Sequence, residues 1–323
     1  MKLSSRSALA VLTFVSLSCS ALAQGKAPSQ IKLLVGFPPG GSTDVLARTL
    51  AQEAGKQLGR DIIIINKAGA SGAVAAAEVA SADPDGSTIG ITPSSTMTLS
   101  HLFQGIKPDL LERTSALLQV GSQPIGIATK SDSPFVTLAD LIAAIRKDPG
   151  KIALGIPGAG TTTDVLLRAV LQQEKLVANV TPFRGDVPTA TAILGGHIAA
   201  AGLSAAGFAQ HVETKAMRVL LSLESTRLDL APDVPTAREL GYDIAGNAIQ
   251  FMYAPKGIPA AERTRLIEVF GAAAKTGTYI DIAKKNVLFS ASSLAGDELD
   301  RYLLADRARN TALVTRLGLG KQP

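Results

Sequence analysis

Residues 31–48 read Ile31-Lys32-Leu33-Leu34-Val35-Gly36-Phe37-Pro38-Pro39-Gly40-Gly41-Ser42-Thr43-Asp44-Val45-Leu46-Ala47-Arg48. The run Ile31–Val35 is apolar and of strand length. Pro38-Pro39-Gly40-Gly41 predicts a tight turn, because glycine permits positive φ and close backbone approach. Ser42 or Thr43 is a natural N-cap for the helix that follows. That helix, Thr43–Leu58, places Val45, Leu46, Leu50 and Ala54 at helical spacing, and Gly59 suits its end. Such a turn aims unpaired backbone N–H groups at one point, which suits an anion and in particular a carboxylate. Without a ligand, the same segment is an ordinary capped strand-to-helix turn. Asp44 runs against a simple anion hole: it either complements the helix dipole or meets the ammonium of an amino-acid ligand.

Outward from this stretch, Ile62–Ile65 and Thr88–Ile91 read as further strands, buried on both faces like the first. An Ala-rich helix over 71–80 lies between them and stops at Asp83-Pro84-Asp85-Gly86. The βαβαβ order implies a parallel sheet covered by helices. The apolar stretch Leu117–Thr129 then reads as a strand or strand pair that passes from one domain to another. Alternation restarts with strands at 152–155, 198–203 and 218–222 and helices at 162–172 and 187–194. Ala248–Ala254 is a strand able to carry the chain back, followed by helices near 260–275, 279–284 and 295–317. The expected organisation is one α/β domain from residues 24–122 and 247–323, and a second from residues 123–246. The opening theme recurs once, at Ile156-Pro157-Gly158-Ala159-Gly160-Thr161-Thr162-Thr163-Asp164, so two cradles, one per domain, would face each other across a cleft.

Residues 1–23 have the pattern of a cleaved secretory signal: Lys2 and Arg6, an apolar core from Ala8 to Leu17, and Ala21-Leu22-Ala23 before a mature start at Gln24. The apolar part is too short to span a bilayer. Cys19, the one cysteine, is preceded by Ser16-Leu17-Ser18, a poor match to a lipoprotein signal. The remaining chain, without cysteine, must rest on its apolar core. The net charge of +5 falls to +3 once Lys2 and Arg6 are subtracted. The charges are scattered, with no basic run that would point to nucleic acid. Trp is absent and aromatics make up 4% of the chain, which leaves few flat faces for stacking sugars or bases. No cofactor or metal set is expected, since Walker A, His-Glu-x-x-His and Cys/His clusters are missing.

The candidate binding residues follow from these loops. Phe37, Pro38, Gly40, Gly41, Ser42, Thr43 and Asp44 form the first cradle. Gly158, Gly160, Thr161, Thr162 and Thr163 form the second, with three hydroxyls. Ser94, Ser95 and Thr96 follow a strand end, where ligands gather in open α/β sheets, or form a plain polar loop. Phe183, Arg184 and Gly185 precede a helix, and Arg184 is either a carboxylate partner or a solvated surface residue. Gly202-Leu203-Ser204-Ala205-Ala206 approximates a nucleophile elbow with Ala for the last Gly, and His211 follows it. A secreted serine hydrolase using Ser204 and His211 is therefore the alternative to a binding protein.

These pieces together resemble the Bug (TctC-like) extracytoplasmic solute receptors, the binding components of tripartite tricarboxylate transporters. The resemblance runs through Leu34–Arg48, Ile65–Gly72, Asp83–Gly86, Pro149–Lys151, Pro182–Gly185, Leu194–Gly196, Pro232–Thr236 and Ala254–Pro259. It implies a type II periplasmic-binding-protein fold, two α/β domains joined by two crossing strands and closing on a ligand. It implies a non-enzymatic, periplasmic, monomeric receptor for a small carboxylate, with membrane permease subunits or, alternatively, a membrane kinase as partner. It implies that Pro38–Asp44, Ser94–Thr96, Gly158–Thr163 and Phe183–Gly185 hold the ligand. Where members often carry acidic residues after Leu194-Gly195-Gly196, this chain has Ala199, Leu203 and Ser204, which disfavours an amine-bearing ligand.

Overall fold

The computed structural model describes residues 30–105, 109–246, 248–288, 290 and 293–319; the signal-peptide reading of residues 1–23, with Cys19, lies outside them. The chain opens with β1 (Gln30–Val35), α1 (Ser42–Leu58), β2 (Asp61–Asn66), α2 (Ala73–Ala80) and β3 (Thr88–Pro93). Two short helices, α3 (Ser94–Thr98) and α4 (Ser100–Gln104), precede β4 (Thr114–Ser122). The second lobe contains β5 (Ile125–Lys130), α5 (Leu138–Lys147), β6 (Ala153–Ile156), α6 (Thr162–Gln173) and β7 (Asn179–Pro182). It continues with α7 (Asp186–Leu194), β8 (Ala200–Ser204), α8 (Ala205–Glu213) and β9 (Met217–Ser222). The chain returns to the first lobe as β10 (Ile249–Pro255), α9 (Ala260–Ala273), α10 (Gly277–Lys285) and α11 (Gly296–Arg316).

Each lobe is built on a five-stranded sheet, ordered β2-β1-β3-β10-β4 in the first and β7-β6-β8-β5-β9 in the second. In the first, β1 runs parallel to β2 and β3, as the βαβ alternation requires. The sheet is not wholly parallel, however: β10 enters from the other lobe and runs antiparallel to β3 and β4. In the second sheet β6 is parallel to β7 and β8, and β5, which also arrives from across, is antiparallel to β8 and β9. Strand alternation sends Leu33 and Val35 into one core layer with Leu46, Leu50 and Phe270. Leu34 goes to the opposite layer with Ala76, Phe251 and Leu299. The expectation that residues 62–65 are buried on both faces fails, because β2 is an edge strand and Ile63 is 41% exposed.

Two crossings join the lobes side by side. Between β4 and β5 lie Gln123 and Pro124, and the Gln123 N–H donates to the Ala248 carbonyl of the returning crossing at 2.7 Å. The end of α11 adds a third tie, since Leu313 and Leu317 pack against the second lobe's core. The Gln172 amide nitrogen there donates to the Leu317 carbonyl at 3.0 Å. Glu224 sits at the base of the crossings. It accepts the Ile125 N–H at 3.0 Å and pairs as an isolated bridge with Gly246.

Burial pushes the Glu224 carboxyl up to about 8, opposed by the Ile125 N–H. A carboxyl with higher proton affinity in the folded state stabilises the fold at low pH. That contribution is complete below about 4.5, the ordinary value, and is lost as pH rises through about 8. The variant Glu224→Gln keeps an acceptor for Ile125 and cannot ionise. Its melting temperature is therefore expected to match wild type at pH 5 and to exceed it at pH 8.5; parallel pH profiles of the two proteins would refute this account.

Candidate functional site

The two cradles are built alike. In the first, Gly40 takes φ of 84°, the left-handed region where glycine is favoured, and its N–H donates to Asp44 Oδ2 at 2.9 Å. In the second, Gly160 takes φ of 72° and its N–H donates to Asp164 Oδ2, also at 2.9 Å. Four residues further on, Arg48 Nε donates to Asp44 Oδ2 at 2.9 Å and Arg168 Nε to Asp164 Oδ1 at 2.5 Å. Gly40, Asp44 and Arg48 thus match Gly160, Asp164 and Arg168 at the same spacing.

This arrangement gives Asp44 a local role. Its carboxylate also accepts from Asn66 Nδ2 at 2.8 Å, so it ties the turn, the helix and the end of β2. Burial pushes the Asp44 carboxyl up, but the bonds from Arg48, Gly40 and Asn66 together hold it below its ordinary value. For Asp164, deeper burial wins over the pull of Arg168 and Gly160, and the carboxyl is raised. The capping expectation needs one correction. The N-cap of α1 is Gly41, with no side-chain cap, and Ser42 and Thr43 lie inside the first turn. At α6 the expected hydroxyl cap is present: Thr161 Oγ1 accepts the Asp164 N–H at 3.3 Å.

The N-termini of α1 and α6 open on one cleft between the lobes. It holds about 580 Å³ of free space, counting that open to solvent. Phe37, Pro38, Gly41, Ser42, Thr43 and Ser95 line it from the first lobe, and Thr161, Thr162, Thr163, Arg184, Gly185 and Ser204 from the second. Gly40, Asp44, Ser94, Thr96 and Gly160 are not among its lining residues. Ser94 and Thr96 belong to the short helix α3, and the Thr96 hydroxyl donates to the Ser71 carbonyl at 2.9 Å. Gly158 and Phe183 border a second, outer chamber, which shares Phe37, Pro38, Pro157, Arg184 and Gly185 with the first. Sequence reasoning missed Gln123, Ile125, Asp186 and Ala248, all of which line the inner cleft. Gln123, Ile125 and Ala248 are there because the crossings form its floor. Gln123 Nε2 donates to Ser42 Oγ at 3.2 Å, linking the floor to the first cradle.

Electrostatically the cleft is nearly neutral: Arg184 and Asp186 are its charged lining residues. Thr161 and Thr163 share a hydroxyl–hydroxyl bond of 2.9 Å, whereas the Ser95 and Thr162 hydroxyls have no protein partner among the described residues. The remaining wall is apolar, with Phe37, Pro38, Pro93, Ile125, Val187 and Pro188. The arrangement offers helix N–H groups, hydroxyls and a short apolar channel. It does not bring Ser204 and His211 together. The Ser204 hydroxyl donates to Asp186 Oδ2 at 2.7 Å. His211 lies seven residues along α8, roughly 10 Å away by helical rise.

Across the outer chamber the lobes touch directly. Ser71 Oγ donates to the Ala159 carbonyl at 2.7 Å. Ser71 and its neighbour Ala70 hold φ of 52° and 48°, the left-handed region unfavourable to residues with a side chain. Gly160 lies so close to the Phe103 ring that a Cβ would approach it to 2.8 Å.

Comparison with known proteins agrees with this architecture. The family described as Tripartite tricarboxylate transporter family receptor matches residues 46–319. BugT of Bordetella pertussis is 32% identical over 231 residues, spanning 70% of this chain and 71% of BugT. Among solved structures, the periplasmic binding protein BugD has a TM-score of 0.84 at 22% identity, covering 91% of this chain and 100% of that one. Rpa4515 of R. palustris, solved with adipate, has a TM-score of 0.84 at 21% identity, over 91% of this chain and 99% of its own. MatC of Rhodopseudomonas palustris, solved with malate, has a TM-score of 0.83 at 22% identity, over 89% and 99%. The chain belongs to the tripartite tricarboxylate transporter receptor family, and its fold is that of the periplasmic solute-binding proteins.

The shared Gly-Asp-Arg construction separates two energies. Asp44 is buried, and its loss removes the acceptor of the Gly40 N–H and one of the two acceptors of Asn66 Nδ2, at a cost of about 1–2 kcal/mol. Arg48 is half exposed, and its ion pair is worth less than about 1 kcal/mol. Urea unfolding is expected to show Asp44→Ala well below Arg48→Ala in stability. Equal losses would mean that the ion pair, not the turn, is what matters.

Proposed function

We propose that the chain is an exported, monomeric receptor that captures a small carboxylate between its two lobes and hands it to membrane permease subunits. The observation that carries this reading is the pair of helix N-termini, one from each lobe, opening on a single cleft lined by hydroxyls. A carboxylate there accepts several N–H and O–H bonds and gains from both helix dipoles, each worth about 0.3–1 kcal/mol. No buried cation is needed to hold it. Gly41, Ser42, Thr43 and Ser95 serve it from the first lobe, and Thr161, Thr162 and Thr163 from the second. Arg184 stands at the boundary of the two chambers, where it reaches a distal carboxylate of a longer ligand. That Rpa4515 and MatC were solved with adipate and malate supports a carboxylate as the ligand class.

In this reading the lobe that holds β1–β4 and β10 moves against the lobe that holds β5–β9, turning on the paired crossings at Gln123 and Ala248. A ligand that touches both lobes has most of its contacts in the closed form alone. Its differential affinity for that form sets the population shift. The closed surface is what the permease reads, and nothing in the cycle requires covalent chemistry.

A thermal-shift screen of mono-, di- and tricarboxylates tests the ligand class. A ligand at 100 times its Kd is expected to stabilise the protein by about 2.7 kcal/mol. Absence of a shift with every carboxylate would remove the basis of the proposal. The variant Gly41→Asp locates the site. Gly41 has φ of −77° and a Cβ there meets its nearest atom at 3.6 Å, so the fold accommodates it and the new side chain can cap α1. Carboxylate affinity is expected to fall at least about tenfold as the added charge occupies the helix end; unchanged affinity would place the ligand elsewhere.

A further inference from the structure

Two glutamines, one beside each crossing, stand beneath the first turn of α1. Gln123 lies in the first crossing, and its Nε2 donates to Ser42 Oγ at 3.2 Å. Gln250, just past Ala248 of the second crossing, belongs to β10 and is fully buried. It shares the side of β10 that carries Met252, which packs with Leu46 of α1. There its side chain meets Thr43, whose Oγ1 donates to Gln250 Oε1 at 3.2 Å. Thr43 lines the cleft, whereas Gln250 is not among the lining residues.

The two contacts run in opposite directions. Ser42 accepts from its glutamine, so its one hydrogen stays available to the cleft. Thr43 gives its hydrogen to its glutamine, so the cleft meets lone pairs alone. An ionised carboxylate only accepts, and lone pairs repel it. The same arrangement leaves Gln250 Nε2 buried with no hydrogen-bond partner among the described residues. An orphaned buried donor is unfavourable. A half-turn of the amide exchanges Oε1 and Nε2 at nearly the same positions. Nε2 then donates to Thr43 Oγ1, and the hydroxyl hydrogen is released to the cleft. The atom left unpaired is a carbonyl oxygen, which proteins orphan more readily than an N–H. Thr43 then matches Ser42.

We propose that Gln250 is a positioning residue of the solute site: while a carboxylate is held, its amide donates to Thr43 Oγ1 and thereby aims the Thr43 hydroxyl hydrogen at the ligand. The proposal rests on the carboxylate reading of the cleft and adds to it a residue that the ligand does not touch. Gln123 does the same for Ser42. Each crossing thus supplies one glutamine that sets the polarity of one first-turn hydroxyl.

The test measures affinity for acetate, succinate and benzoate by calorimetric titration of wild type, Gln250→Leu, Thr43→Val and the double variant. For the acids that bind, Thr43→Val is expected to weaken binding at least about tenfold, through loss of one bond to a charged acceptor. Gln250→Leu alone is expected to weaken it at least about threefold, because a hydroxyl that accepts a bond donates more strongly. Beside Thr43→Val it is expected to change nothing further, since no hydroxyl is left to aim. Thr43→Ser, which keeps the hydroxyl, is expected to keep the sensitivity to Gln250→Leu. A glutamine that merely packs under α1 would cost the same in every background, and that additive result would overturn the proposal. Side-chain amide NMR of wild type keeps the test open if Gln250→Leu fails to fold. With the acid saturating, one Gln250 amide proton is expected downfield, where hydrogen-bonded amides resonate. Both protons at unpaired positions would overturn the proposal while leaving the carboxylate reading intact. Binding of none of the three acids would overturn both.

Discussion

A helix that begins at a ligand cleft has a problem at its first turn. Its N–H groups must stay free to serve the ligand, yet the turn that delivers them must be rigid. Here one aspartate per lobe resolves this from behind. Asp44 and Asp164 each reach back to the N–H of a glycine four residues earlier, in left-handed geometry, and fix the approach angle of the helix. Among the described residues, no hydrogen bond outside the helices engages the N–H groups of Ser42, Thr43, Thr162 and Thr163. Everything the site offers depends on these two ties, because α1 and α6 carry the hydroxyls of Ser42, Thr43, Thr162 and Thr163 on their first turns.

The mixed sheets follow from connectivity rather than from local preference. Each lobe receives a strand from its partner, β5 in one direction and β10 in the other, and each lies antiparallel to both its neighbours. The crossings are hydrogen-bonded to one another and form the cleft floor, so the connection between the lobes and the cleft lining share residues. The α11 end reaches over to the second lobe's core through Leu313 and Leu317. Three points of attachment hold the lobes together.

The strand, turn and helix of residues 31–58 were legible because a short apolar run gives way to a 3.6-residue period across a Pro-Gly turn, a purely local signal. The second cradle was legible for the same reason. Helix α5 was overlooked although Thr137 and Asp140 form a reciprocal capping box, a signal that could have found it. Helix α8 was hidden behind the elbow-like spacing around Ser204. The antiparallel strands could not be read, since direction is set by a return across the whole second lobe. Asp186 could not be read either, because its meaning comes from Ser204, eighteen residues away in sequence. Asp44 was noticed but not understood, for its partner Asn66 lies on another strand. The first-turn position identified the residue; the tertiary contact explains it.

The bond from Ser71 to Ala159 joins the lobes at the mouth of the cleft and exists only while they meet. In the proposed closing cycle such a contact cannot speed the encounter with solute, because there the lobes are apart when solute enters. It acts on residence time alone. The left-handed Ala70 and Ser71 store backbone strain in the loop that makes the bond, each of order 1–3 kcal/mol. Dwell time is therefore adjustable at the rim without altering the groups that recognise the solute. Retention and recognition occupy different loops, and a change in one leaves the chemistry of the other in place.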